Sequence, residues 1–86
     1  MSRPICCEGD ATSHGGKVVQ ASGSFTIDGR RIARVGDTVS CPRHGDNKIV
    51  EGDGTSLDEG IPIALHGHHG ACGCALICTV NATIAA

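Results

Sequence analysis

The stretch Arg34-Val-Gly-Asp-Thr-Val-Ser-Cys-Pro-Arg-His-Gly45 decides how the rest of the chain is read. It sets a Gly36-Asp37 turn, places Cys41 five residues after that glycine, and places His44 three residues further on. Upstream, Gly9-Asp-Ala-Thr-Ser-His-Gly-Gly16 repeats the turn with His14 at the fifth position. Downstream, Gly67-His-His-Gly-Ala-Cys-Gly-Cys74 repeats it again, with His68 replacing the aspartate and Cys72 at the fifth position. A second motif is also duplicated: Asp28-Gly-Arg-Arg-Ile-Ala33 returns as Glu59-Gly-Ile-Pro-Ile-Ala64. Self-similarity of this kind marks a repeat architecture. The chain reads as three related units.

The spacing of the units is uneven in an informative way. Val18-Val19 begins four residues after His14 and Leu76-Ile77 four after Cys72, but Ile49-Val50 begins eight after Cys41. An insertion of four residues therefore lies in the second turn, around Pro42 to Asp46, and it brings in His44.

Between the turns run short segments of strand character: Val18-Val19, Ser24 to Ile27, Ile32 to Val35, Lys48 to Glu51, Ile61 to Leu65 and Ala75 to Cys78, with Val80 to Ile84 as a final candidate. They are rich in β-branched residues and bounded by Gly, Asp, Asn and Ser. No segment carries a 3.6-residue period over the length a helix needs. Asp28-Gly29 and Glu59-Gly60 sit where type I′ hairpin turns are expected. The predicted fold is all-β: a small conical, pseudo-threefold structure of short strands and hairpins, one domain over residues 1–86, with a metal site near its apex.

At 86 residues with one aromatic, Phe25, the core inventory is thin, and such a chain needs a staple or a partner. Met1 to Glu8 has no apolar run of the kind that directs secretion, and no stretch is long enough to span a membrane. A chain made in the cytosol with interleaved Cys and His reads as a metal binder before it reads as a disulfide framework. The net charge of −2 and the scarcity of aromatic rings argue against nucleic acid as a partner.

The pseudo-threefold reading brings His14, Cys41 and Cys72 to equivalent points, and His44 supplies a fourth ligand. Thiolate and imidazole together favour zinc, with iron as the alternative, over magnesium or calcium, and one structural zinc ion is expected because a Cys₂His₂ set is common for it. His68 and Cys74 are the alternatives to His14. His66 and His69 are expected to face solvent, and a loose copper or nickel site at His66 to His69 is the lesser reading. Cys78 and at least one of the adjacent pair Cys6 and Cys7 are expected to be small buried hydrophobes. Asp10 and Asp37 are expected to form Asx-turns. No arrangement of nucleophile, acid and base is visible, so no catalytic residues and no enzymatic activity are expected. The rival classes are a small metalloenzyme or redox protein, and a metal-trafficking domain.

The quoted motifs, together with Ile49-Val-Glu-Gly-Asp53 and Ala64-Leu-His-Gly-His68, resemble the PAAR-repeat (proline-alanine-alanine-arginine) family over roughly residues 4–79. The namesake motif reads Arg31-Ile-Ala-Arg34 and Ile61-Pro-Ile-Ala-Leu65. The resemblance implies a zinc-bearing cone that caps the trimeric valine-glycine repeat spike of a bacterial type VI secretion system. There it would sharpen the spike for membrane puncture and act as an adaptor for secreted effectors. It also implies a monomer seated on a trimeric partner, without stable membrane insertion. Such a tip is cytoplasmic until assembled and is then translocated into the target cell. Matching positions carry the family's zinc ligands to His14, Cys41, His44 and Cys72. With few residues after the last ligand-rich strand, a stand-alone tip is expected, one that binds effectors without being one. An apolar base is expected to stay exposed for its partner.

Overall fold

A computed structural model describes residues 2–78 and 83–85, and no helix occurs among them. The strands are β1 (Ser2–Pro4), β2 (Ala11–Thr12), β3 (Val18–Gln20), β4 (Thr26–Ile27), β5 (Arg30–Arg31), β6 (Thr38–Val39), β7 (Asn47–Lys48), β8 (Asp53–Asp58), β9 (Ile61–Ile63), β10 (Leu76–Ile77) and β11 (Thr83–Ala85). Most span two or three residues, too few to form a broad sheet. The turns between them do the organising.

Each unit is built on the same turn. Gly9, Gly36 and Gly67 have φ of 91°, 94° and 89°, a conformation that favours glycine. Their N–H groups donate to the carbonyls of Val18, Ile49 and Leu76, each at 2.9 Å. The next residues, Asp10, Asp37 and His68, donate to the carbonyls of Cys7, Arg34 and Leu65 at 3.1, 3.1 and 3.0 Å. Their side chains in turn accept from the N–H of those same residues, at 2.8, 2.7 and 2.9 Å. These contacts run back three residues, so Asp10 and Asp37 do not make the expected Asx-turns. A carboxylate or an imidazole nitrogen serves equally well, because the turn asks only for an acceptor.

The units are bonded to one another in closed rings. The N–H of Cys6 donates to Ala64, that of Ala64 to Ala33 and that of Ala33 to Cys6, at 3.0, 3.0 and 2.8 Å. Nearer the turn tips, Ser13 donates to Ala75, Ala71 to Lys48 and Ser40 to Lys17, at 2.9, 2.8 and 2.8 Å. Both rings pass from unit 1 to unit 3 to unit 2, and so define a pseudo-threefold axis. The body measures 31 × 24 × 23 Å, with two of its dimensions nearly equal.

Side chains stack along this axis in equivalent sets. Ile5, Ile32 and Ile63 form one buried layer, Cys6, Ala33 and Ala64 another, and Val18, Ile49 and Leu76 a third. Thr12, Val39 and Gly70 hold a fourth set of equivalent positions. An added Cβ at Gly70 would lie 2.8 Å from Asn47 Oδ1 and 3.0 Å from Cys74 Sγ, so a side chain there would displace these neighbours. Cys74 occupies the space that a side chain fills in the other units. Arg34 is buried beside this stack and is paired with Asp58 and Glu59, while Ser22 takes two of its N–H groups. Removing Asp58 would leave the buried guanidinium only the exposed Glu59 as a counter-charge.

The hairpins β4–β5 and β8–β9 turn at Asp28-Gly29 (φ 52° and 79°) and Glu59-Gly60 (φ 54° and 81°), as type I′ geometry requires. Several strand bounds differ from expectation. The Ile32 to Val35 segment makes isolated bridges, and its hairpin strand is the preceding Arg30–Arg31. Strands β1, β2, β6 and β8 were not expected at all. Thr83–Ala85 overlaps the final candidate strand, whose earlier part, residues 80–82, lies outside the described residues. Cys6 and Cys78 are buried as expected, but they are joined in a disulfide, while Cys7 is a buried free thiol.

The close approach of the units makes certain glycines obligatory. A Cβ on Gly16 would lie 1.8 Å from the Ser40 carbonyl oxygen, whereas one on Gly54 would meet nothing within 4 Å. Gly16→Ala should cost more than about 2 kcal/mol in chemical denaturation, and Gly54→Ala should stay within about 0.5 kcal/mol.

Candidate metal centre

The fifth residue after each turn glycine points to one place. His14, Cys41, His44 and Cys72 each present a ligand atom, and these atoms all lie within 4.8 Å of one another. Cys41 Sγ is 3.6 Å from His14 Nδ1 and 3.3 Å from His44 Nδ1, and Cys72 Sγ is 3.7 Å from His14 Nδ1. A tetrahedral zinc ion with its usual bond lengths separates sulfur and nitrogen by roughly 3.5 Å. The donor set fits such an ion in both chemistry and spacing.

The unit tips position these side chains. Ring contacts at Ser13, Ser40 and Ala71, one residue before His14, Cys41 and Cys72, hold the backbone of each candidate ligand against the next unit. The insertion folds back through Gly45 N–H to the Cys41 carbonyl at 2.8 Å, which sets His44 beside Cys41. The His14 and His44 rings lie 5.5 Å apart and tilted. Asn47, just past the insertion, accepts from the Cys72 N–H at 3.2 Å. Cys41 is buried, Cys72 and His14 are half-buried, and His44 is exposed.

Burial pushes the Cys72 thiol up, but hydrogen bonds from Cys74, Cys41 and Asn47 outweigh it and hold Cys72 below the ordinary thiol range. Cys74 is fully buried, and burial together with the neighbouring Cys72 raises its thiol above that range. Cys72 is thus the readier thiolate of the two.

The remaining histidines go elsewhere. His68 Nδ1 accepts from Leu65 N–H, and His66 Nδ1 accepts from Cys78 N–H at 3.0 Å. His69 Nδ1 is engaged by Glu51. His66 and His69 are exposed, as expected, but the three histidines do not converge as a copper or nickel site would require. Neither His68 nor Cys74 belongs to the group around Cys41. A second group, Cys6, Asp10 and Cys78, was not anticipated, and two of its members are bonded to each other. Adjacent positions in the sequence gave no sign of it, because Cys6 and Cys78 are separated by 72 residues.

A family model described as the PAAR motif matches residues 8–78. The chain belongs to the PAAR-motif family. No curated protein matches it. The matched span contains all three turns and the four converging side chains. Arg34, at the close of the namesake motif, is the buried arginine that ties unit 2 to the β8–β9 hairpin.

His68 departs from the aspartate of the other turns in a way that pH exposes. Burial lowers its pKa first, then Arg3, with His69 adding to this; Glu51 and Asp53 oppose only in part. In the folded chain Nδ1 must stay unprotonated to accept from Leu65. The unfolded chain therefore binds the extra proton first, and stability should fall as pH drops below about 6.5. His68→Asp should flatten that loss. The difference between the two proteins in thermal melts of matched metal content, from pH 7.5 to 5, isolates the effect from protonation of the other histidines.

Proposed function

We propose that the protein is the pointed cap of a type VI secretion spike, held shut at its apex by one zinc ion on His14, Cys41, His44 and Cys72. The closed rings of hydrogen bonds carry this reading. They give a single PAAR-family chain three equivalent faces. A trimer offers a monomer three equivalent surfaces along its axis, and an internally threefold chain can meet them all with one type of contact.

The exposed apolar side chains fall in two groups. Among the described residues, Val19, Val50 and Ile77 are equivalent in the three units, and Phe25 and Leu57 lie at the β4–β5 and β8–β9 hairpins. The hairpin end is the partner side in this reading. It rests on the Ile5, Ile32 and Ile63 layer, while Cys72 packs on the cluster at the other end. Bound at the tip, zinc would cross-link units that share too little core to hold themselves together there. With four protein ligands the tetrahedron is complete and leaves no open position for an activated water, so the role is structural rather than catalytic. The tip is assembled in the cytoplasm, carried out on the spike with any effector bound to it, and delivered into the target cell.

Metal analysis of the purified protein should find one zinc per chain, and Cys41→Ser should lose most of it. Verified removal of the ion should lower Tm by about ten degrees or more, since structural zinc contributes folding free energy directly. Zinc-loaded protein should be retained by an immobilised trimeric valine-glycine repeat spike. Failure of folded, zinc-loaded protein to bind would remove the capping role, and an unchanged Tm after metal removal would remove the structural one.

A further inference from the structure

The pseudo-threefold body is not joined in the same way at its three corners. Units 1 and 2 are connected through the β4–β5 hairpin, and units 2 and 3 through β8–β9. At the third corner the equivalent strands are β1 and β11, from opposite ends of the described chain. They pair through Ser2↔Ala85, Arg3↔Ile84 and Pro4↔Thr83. The equivalence is exact in hydrogen bonding: Pro4, Arg31 and Pro62 accept from the N–H groups of His66, Glu8 and Val35. No turn joins β1 to β11.

Cys6 and Cys78 lie at this corner. Cys6 is fully buried in the axial ring, at the position held by Ala33 and Ala64 in the other units. The sulfur is what this unit adds. Cys78 is 4% exposed, and its N–H is fixed by His66 Nδ1. Asp10 lies close to both sulfurs but is engaged on both oxygens, by Cys7 N–H and by the Arg30 guanidinium. The two sulfurs are left to each other, and they are bonded across a separation of 72 residues.

We infer that Cys6–Cys78 is a redox-responsive clasp that supplies the third covalent connection of the ring. Oxidised, it locks the corner between the chain ends. Reduced, that corner is held by backbone pairing and packing alone, and it opens transiently and more often, while the metal end keeps its own ring through Ser13, Ala71 and Ser40. The clasp closes by exchange with a protein or low-molecular-weight disulfide. One thiolate attacks that disulfide and expels the first partner thiolate; the second cysteine then displaces the other. Two cysteine thiols and one disulfide become one disulfide and two thiols, the protons passing to the departing thiolates. Opening is the reverse, driven by a dithiol. A link between ends so distant in sequence removes somewhat more freedom from the unfolded chain than a local one, because the entropy of loop closure grows with the logarithm of loop length. The state of the clasp follows the compartment, open where thiols are kept reduced and closed where they are oxidised.

The test uses the full metal-loaded chain, equilibrated with glutathione disulfide or with dithiothreitol. It reads thiol alkylation after denaturation and amide exchange before it. The oxidised chain should alkylate only at Cys7, Cys41, Cys72 and Cys74, and peptide mapping should join Cys6 to Cys78. Reduction should speed exchange at residues 3–7 about tenfold or more and leave residues 36–49 within about twofold, because opening is local. Cys6→Ala, which restores the alanine of the equivalent positions, should exchange at the faster rate under both conditions. Equal exchange in the two states, a different cysteine pairing, or a second zinc taken up by the reduced chain would each overturn the inference.

Discussion

The ring of backbone hydrogen bonds through Cys6, Ala33 and Ala64 is the constraint on which the rest depends. Three segments can exchange such bonds around an axis only if their side chains leave the centre almost empty. That is why alanine and cysteine stand there and why no large residue does. Once the three backbones are fixed at this distance, the positions before and after the ring are fixed too. The isoleucine layer falls on one side, and the Val18, Ile49 and Leu76 layer on the other. Each unit contributes one side chain per layer, so a small apolar inventory is enough.

The same constraint produces the candidate centre. Equivalent units place equivalent side chains together, so the fifth residue of each turn arrives at a common point. Threefold symmetry by itself brings three donor side chains together. The insertion in unit 2 breaks the symmetry and adds His44, so that four side chains that could hold a metal ion converge. Symmetry is broken elsewhere for reasons just as local. Arg34 takes a position held by Cys7 and Leu65, and it is buried with its charge paired. Gly70 gives up its side chain so that Cys74 can lie against it.

Much of this was legible in the sequence because the turns carry it. Gly9, Gly36 and Gly67 mark the units, the fifth position marks the converging side chains, and the offset after Cys41 marks the insertion. Asp28-Gly29 and Glu59-Gly60 gave both hairpins. What was not legible depended on contacts between units. Strand β8 reads Asp-Gly-Thr-Ser-Leu-Asp, with no apolar alternation, and it is a strand because β9 pairs with it. The Cys6–Cys78 bond becomes visible only when the chain ends are seen to meet. His68 was legible as a substitution, but its use of Nδ1 as an acceptor required the turn geometry shared with Asp10 and Asp37.

The central claim is that three equivalent turns and one insertion close a tetrahedral site at the tip. X-ray absorption at the zinc edge of the metal-loaded protein tests it most directly. The account predicts two sulfur neighbours at about 2.3 Å and two nitrogen neighbours at about 2.0–2.1 Å, with no oxygen in the coordination sphere. A shell with three sulfurs, or with an oxygen in place of a histidine nitrogen, would contradict it.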